Sequence, residues 1–364
     1  MYKKGRYLIL ILASFQLLSC KKKPESCDKI ISARKKYQSF IQKADSLLLD
    51  DDFCGAVLVA KKDKIIFASG YGSSDPENET APQNNINTIF EAGSITKQMT
   101  AAAILQLEKK HKISQNDKIS SFFPDLFPTE DIRNQITVKM LLNMRSGLTD
   151  HINAGEEFFP REVFLEIEKN QKKCRPVSEN LVMTYLPSSP LLTNPGNTYF
   201  YCNTNYYLLA KIIEKNYGKS YADYMKKEIL KKAGMTKSNF DFQNTSSRGY
   251  TGCRYYSIPA GLSLGCGDLN SSAVDLFRWN RAFVKGKIIP KKYIRQLKKA
   301  KGYNYGFYCG NKMIFHAGNT NVFNSYSSYN FKKGISIIVL TNRPVNVSNA
   351  TVIAGKLSKL FSQL

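Results

Sequence analysis

At 364 residues, 43% of them hydrophobic and 12% aromatic, the chain is too long for a small disulfide scaffold and too apolar to be disordered. It carries 53 Lys and Arg against 29 Asp and Glu, a net charge of +24, of which residues 1–43 contribute +9. The rest of the charge is thinly spread, and no cluster interleaves bases with aromatics as a nucleic-acid groove would, so nucleic acid is not an expected partner. A diffuse positive surface suits anionic surroundings such as phospholipid or cell-wall polymer, and equally accompanies a residue usage rich in Lys, Asn, Ile and Tyr.

In chain order, Lys3, Lys4 and Arg6 precede an apolar run from Tyr7 to Leu18, and Leu17-Leu18-Ser19 leads into Cys20. A basic start, a short apolar stretch and small residues before a cut describe an export signal, too short to remain as a spanning helix. With Cys at the cut it resembles a bacterial lipoprotein signal, which implies that Cys20 is lipidated and that the chain faces outward from a membrane of the cell envelope. The expected division is a signal over residues 1–19, the lipidated Cys and a basic tether over 20–45, and one catalytic-sized domain over 46–364. No other segment reaches 18 consecutive apolar residues. Without Cys20, seven cysteines remain, an odd number, with no CxxC pair; with three His in the chain, a zinc site is not expected.

Phe53–Phe67 is two apolar runs around Lys61-Lys62-Asp63-Lys64, a hairpin signal, and Lys312–Phe315, Phe323–Phe331 and Ile335–Leu340 predict three further strands. Helical spacing marks Ser94–Lys110, Tyr206–Tyr217, Tyr221–Ala233 and a closing helix Ala350–Phe361. Strands at both ends with helices between them predict an α+β fold. Its antiparallel sheet would come from about 50–75 and 300–364, with a mainly helical region, about 76–300, inserted.

Three motifs carry candidate chemistry. Ser94-Ile95-Thr96-Lys97 opens an apolar helix, which sets Ser94 and Lys97 on one helical face. Two other S-x-x-K matches, Ser26–Lys29 and Ser32–Lys35, lie in the basic N-terminal stretch and lack this context. A Lys in the first turn opposes the helix dipole, and a buried Lys with a lowered pKa could take the Ser proton. Tyr201-Cys202-Asn203, in the loop before a helix, offers a phenol for proton transfer and an amide. His316-Ala317-Gly318-Asn319 leaves a predicted strand, where Gly318 would let a substrate backbone approach and N–H groups could hold an oxyanion.

The order of these motifs and their surroundings, Gly55–Tyr71, Phe90–Leu107, Ile136–Leu148, Pro195–Ile213 and Gly267–Trp279, resembles the serine β-lactamase and penicillin-binding protein superfamily, in its class C-like branch. The resemblance implies that Ser94 is acylated, that Lys97 and Tyr201 move its protons, and that Asn203 binds the substrate amide. His316 and Gly318 would line the substrate strand, and the backbone N–H groups of Ser94 and Asn319 would form the oxyanion hole. It implies a peptide, amide or ester substrate, D-amino-acid peptides of peptidoglycan included, and no metal or organic cofactor. His316 stands where β-lactamases of the family carry Lys, which points to a peptidase or esterase rather than an efficient β-lactamase. Cys202 and Asn143 replace a Ser and a His that are common in the family, and both read as scaffold. A rival nucleophile, Ser263 in Gly261-Leu262-Ser263-Leu264-Gly265, matches a hydrolase elbow but lacks the strand before it and the helix after it. From a different class, an inactive lipid-anchored binding protein could use the same scaffold.

Overall fold

Apolar strands without polar alternation need cover on both faces, and two separate parts of the chain supply it. The computed structural model describes residues 27–78, 80–241, 244–250 and 257–364; the export signal and Cys20 lie outside the described residues. In chain order the strands are β1 (Cys27–Ile31), β2 (Gly55–Lys61), β3 (Lys64–Tyr71), β4 (Phe90–Glu91), β5 (Asn270–Ser271), β6 (Gly302–Asn304), β7 (Phe307–Gly310), β8 (Met313–Asn319), β9 (Asn324–Asn330) and β10 (Ile335–Thr341). Eight of them form one sheet in the order β1-β3-β2-β10-β9-β8-β7-β6, and β4 pairs separately with β5. Every pairing is antiparallel. The two ends of the chain meet at the centre, where Leu58 of β2 faces Ile338 of β10.

Alternation then sorts the side chains. Ala56, Leu58 and Ala60 point into the large core made with the helical region, while Val57 and Val59 join Phe67, Ile337 and Val339 in a second core beneath the terminal helices. Those helices are α1 (Gln38–Asp50) and Ala350–Phe361. The Phe40 ring meets Phe361 and Phe67 edge-on, with centroids 5.0 and 6.5 Å away.

Here the expected tether gives way to folded structure. Ile31 of β1 pairs with Phe67, and Tyr37, Phe40, Ile41, Ala44 and Leu48 are buried at helical spacing. Lys35, Lys36 and Lys43 on the exposed side gave the segment its polar, basic look. Three other features differ from expectation. Strands β6 and β7, of 3 and 4 residues, are too short to show alternation. Strand β8 continues through His316–Asn319 instead of ending before it. The run from Tyr221 to Ala233 is helical throughout but π-helical over Met225–Leu230.

Helix α2 (Thr96–Lys109) runs through the large core with every side chain from Thr96 to Leu107 buried. Its polar groups are therefore paired. Thr96 Oγ1 donates to the Gly93 carbonyl at 2.7 Å and accepts from the Leu269 N–H at 3.0 Å. Gln98 Oε1 accepts from the Trp279 indole at 2.8 Å, and Thr100 Oγ1 donates to the Gly265 carbonyl at 2.6 Å.

If the segment before residue 46 is part of the fold, Phe40→Ala costs about 3–5 kcal/mol by the usual cavity penalty. Denaturant unfolding measures this; a change within about 0.5 kcal/mol, normal for a surface site, would return the segment to a tether.

Candidate active site

The site starts from two close backbone approaches. A single 3-10 turn, Gly93–Ile95, feeds α2 and carries Ser94. Gly93 has φ +52, and a Cβ there would come within 2.9 Å of the Asn319 nitrogen. A Cβ on Gly318 would sit 2.1 Å from the Ala92 carbonyl oxygen. Two glycines thus let the end of β8 press against the serine turn, and Ser325 Oγ ties the contact by donating to the Ala92 carbonyl at 2.8 Å. The bareness of Gly318 serves this internal packing, a use the sequence did not show, and Gly318 also lines the groove where the sequence suggested room for a substrate. The contact also brings the Asn319 N–H beside the turn bearing Ser94.

Ser94 Oγ lies 2.8 Å from Lys97 Nζ and 2.8 Å from Tyr201 Oη. Lys97 is fully buried and also donates to Asn203 Oδ1 at 2.7 Å and to the Cys266 carbonyl at 2.6 Å. Burial pulls the Lys97 amine below its ordinary range, with Cys266 and Asp150 opposing. Burial drives the Tyr201 phenol the other way, well above its ordinary range, so it holds its proton. Cys202 is buried and its thiol is pushed up to about 12, which leaves it inert.

Asn203 heads the helix Asn203–Tyr217, whose start lies three residues before the predicted one. Its Nδ2 donates to Asp150 Oδ1 and Oδ2 at 3.1 and 2.9 Å, and its backbone N–H to Oδ2 at 3.2 Å. Both ends of the amide are engaged by the protein, and Asn203 also lines the groove in which the sequence reading had it bind substrate. Burial pushes the Asp150 carboxyl up, but the neighbouring His151, the Ile152 N–H and the Asn153 and Asn203 side chains hold it below its ordinary range.

His316 is buried among Tyr201, Tyr303 and Tyr308, with ring centroids 6.1, 5.6 and 5.3 Å away. Its Nδ1 lies 2.6 Å from the Ala317 carbonyl and its Nε2 3.1 Å from Tyr303 Oη. A carbonyl only accepts, so Nδ1 carries the proton and Nε2 accepts from the phenol. Burial first, and the Lys97 charge second, lower the imidazole to about 3, so it is neutral at physiological pH.

These groups border a groove of 570 Å³ lined by Ser94, Tyr201, Asn203, His316, Gly318 and Asn319, with Phe159, Phe164, Ile167 and Leu262 forming an apolar wall. All the described residues expected at the site are thus brought together. Asp150, Tyr303, Tyr308 and the Cys266 carbonyl were missed. Tyr303 and Tyr308 sit on the two shortest strands of the main sheet, and a backbone carbonyl leaves no mark in a sequence. Asp150 closely follows the Ile136–Leu148 segment, the one signal that could have drawn notice. The elbow-like Ser263 lies in a run of turns, its carbonyl accepting from the Cys266 and Gly267 N–H groups at 3.0 and 2.8 Å. Among the described residues neither a strand directly before it nor a helix directly after it is present, and its loop holds the Cys266 carbonyl on Lys97. Asn143 Nδ2 donates to the Lys139 carbonyl one helical turn back, at 2.9 Å.

Comparison with known proteins places this geometry. The chain is 28% identical over 335 residues to the putative penicillin-binding protein PbpX of Bacillus subtilis, covering 88% of this chain and 78% of that protein. The octameric penicillin-binding protein homologue from Pyrococcus abyssi superposes with a TM-score of 0.72 at 25% identity, over 88% of this chain and 77% of that one. D-amino acid amidase from Ochrobactrum anthropi, at 17% identity, shares the fold with a TM-score of 0.71 over 90% and 98% of the two chains. The Beta-lactamase family profile matches residues 50–357, well over half of the sequence. The chain belongs to the beta-lactamase family and is a serine hydrolase of the serine β-lactamase and penicillin-binding protein superfamily.

Proposed function

We propose that the protein hydrolyses an amide or ester through an acyl-enzyme on Ser94. The observation that carries this reading is the placing of Ser94 Oγ 2.8 Å from both Lys97 Nζ and Tyr201 Oη, on the border of the groove. A neutral Lys97 takes the hydroxyl proton as Oγ attacks the substrate carbonyl carbon. The backbone N–H groups of Ser94 and Asn319 hold the oxyanion. As the intermediate collapses, the C–N or C–O bond to the leaving group breaks, and Tyr201 supplies its proton while regaining one from Lys97 through the Ser94 site. Water then attacks the acyl carbonyl with the same groups as base and acid, releasing the acid and restoring Ser94.

The groove supports a substrate class. Among the described residues that line it, Glu168 alone is formally charged, and His316 is neutral with its pKa near about 3. Among those described residues a substrate carboxylate would meet no fixed cation, and its entry would carry a desolvation cost. Esters and amides lacking a free carboxylate beside the scissile bond fit better, and the apolar wall suits an apolar or D-aminoacyl group. The shared fold of D-amino acid amidase is in keeping with this reading. The Cys20 motif supports lipid anchoring in the cell envelope, where D-amino-acid amides and esters of peptidoglycan would be within reach. Palmitate labelling lost in Cys20→Ala would bear out the anchor, and labelling that persists would refute it.

In steady-state assays, Lys97→Ala and Tyr201→Phe each lower kcat/KM by about 100-fold or more; full activity in both would overturn the mechanism. Between an N-acyl-D-alanine amide and the matched dipeptide with a free carboxylate, the amide is preferred by about tenfold or more. A preference for the carboxylate would overturn the substrate class while leaving the nucleophile untouched.

A further inference from the structure

Lys97 Nζ has three partners: Asn203 Oδ1 at 2.7 Å, the Cys266 carbonyl at 2.6 Å and Ser94 Oγ at 2.8 Å. The first two only accept, so they take two N–H bonds of the amine. On a tetrahedral nitrogen the remaining vertex then points at Ser94. It is an N–H when Lys97 is charged and the lone pair when Lys97 is neutral, and in the neutral state alone can it receive the Ser94 proton.

This aim depends on which end of the Asn203 amide faces Lys97. Turned over, the amide would present N–H donors, and a neutral Lys97 would spend its lone pair on them. The two ends of an amide have nearly the same shape, so packing does not choose between them. Asp150 does choose. Its oxygens lie 3.1 and 2.9 Å from Asn203 Nδ2, and an ionised carboxylate only accepts. Asp150 is itself fixed by the Ile152 N–H and Asn153 Nδ2, each at 2.9 Å.

We propose that Asp150 is a positioning residue for acyl transfer: by holding Nδ2 of Asn203 it keeps the amide oxygen on Lys97 and so points the Lys97 lone pair at Ser94. This rests on the reading of Ser94 and Lys97 given above.

An electrostatic consequence makes the assignment testable. Two carboxyl groups face Lys97, Asp150 and Asp268, and burial raises Asp268 to about 7 while Asp150 stays below its ordinary range. The Cys202 and Cys266 thiols are pushed up to about 12 by burial, which also raises the Tyr201 and Tyr206 phenols and lowers the His151 and His316 imidazoles. Tyr308 faces Lys97 as well. Asp268 therefore ionises only in the upper part of the range between about pH 5 and 9, and Asp150 is the carboxylate that stands ionised across it, whose loss Lys97 would feel. Without it the charged amine is less favoured, its pKa falls, and the neutral base appears at lower pH.

The test is the rate of fluorophosphonate labelling, followed by intact-protein mass between about pH 5 and 9, for the whole chain and two variants. In Asp150→Asn the plateau rate falls by about tenfold or more, and the acid limb moves about half a pH unit or more toward acid. In the exchanged pair Asp150→Asn with Asn203→Asp, a carboxylate meets Lys97 directly whichever way it turns. Labelling then recovers above that of Asp150→Asn, and the limb moves toward base. A wild-type rate and limb in Asp150→Asn, with unchanged melting by circular dichroism, would overturn the proposal. If Asp150→Asn does not fold, an unmoved limb in the exchanged pair would overturn it. Ser94→Ala is the separate control: labelling that survives there would fail the nucleophile assignment itself.

Discussion

Everything at the site follows from burying one amine. Lys97 lies in the first turn of a helix whose other buried side chains are apolar or neutral, with no water-exposed surface of its own. Taking an ammonium group out of water costs several kcal/mol even after relaxation, and the fold offsets this with two fixed acceptors from distant parts of the chain, Asn203 Oδ1 and the Cys266 carbonyl. Meeting that demand brings the loop around Cys266 and the helix headed by Asn203 onto α2. Pressing β8 against the serine turn then needs Gly93 and Gly318. Reactivity follows from the same burial, because an amine held below its ordinary range is neutral, and so able to accept a proton, at a lower pH than an exposed lysine.

The sheet explains why residues more than two hundred positions apart share one cleft. Strand β2 from the N-terminal part pairs with β10 from the C-terminal part, and β8 lies two strands further on, so the ends of the chain build the platform and the insertion builds the opposite wall. Covering that platform from below takes both α1 and the closing helix. The sheet that carries β8 thus also packs on a segment before residue 46, none of whose described residues lines the groove.

Much of this was legible in the sequence because the signals were strong and local. The hairpin around Lys62, the strand Ile335–Leu340 and the helix Ala350–Phe361 stand within a residue or a few of where spacing put them. The motif residues from Ser94 to Asn319 converge because each sits at the end of such an element. What escaped was whatever depends on contact at long range. A Lys-rich surface hid the apolar stripe of α1, and β6 and β7 are too short for alternation, so the tyrosines beside His316 went unseen. Asp150 carries no local signature, and its meaning comes from the Asn203 amide 53 positions away. For Asn203 the residue type and place were readable, whereas its protein partners on both sides, Lys97 and Asp150, were not.

The chemistry stands or falls on Ser94 as nucleophile. Intact-protein mass spectrometry of the chain from Lys21 onward, after exposure to benzylpenicillin and separately to a fluorophosphonate, addresses it most directly. The account predicts a mass gain of one reagent adduct with the fluorophosphonate, lost in Ser94→Ala, and weak or no stable adduct with the carboxylate-bearing penicillin. A folded sample that gains no mass with either reagent, or an adduct that survives in Ser94→Ala, would contradict it.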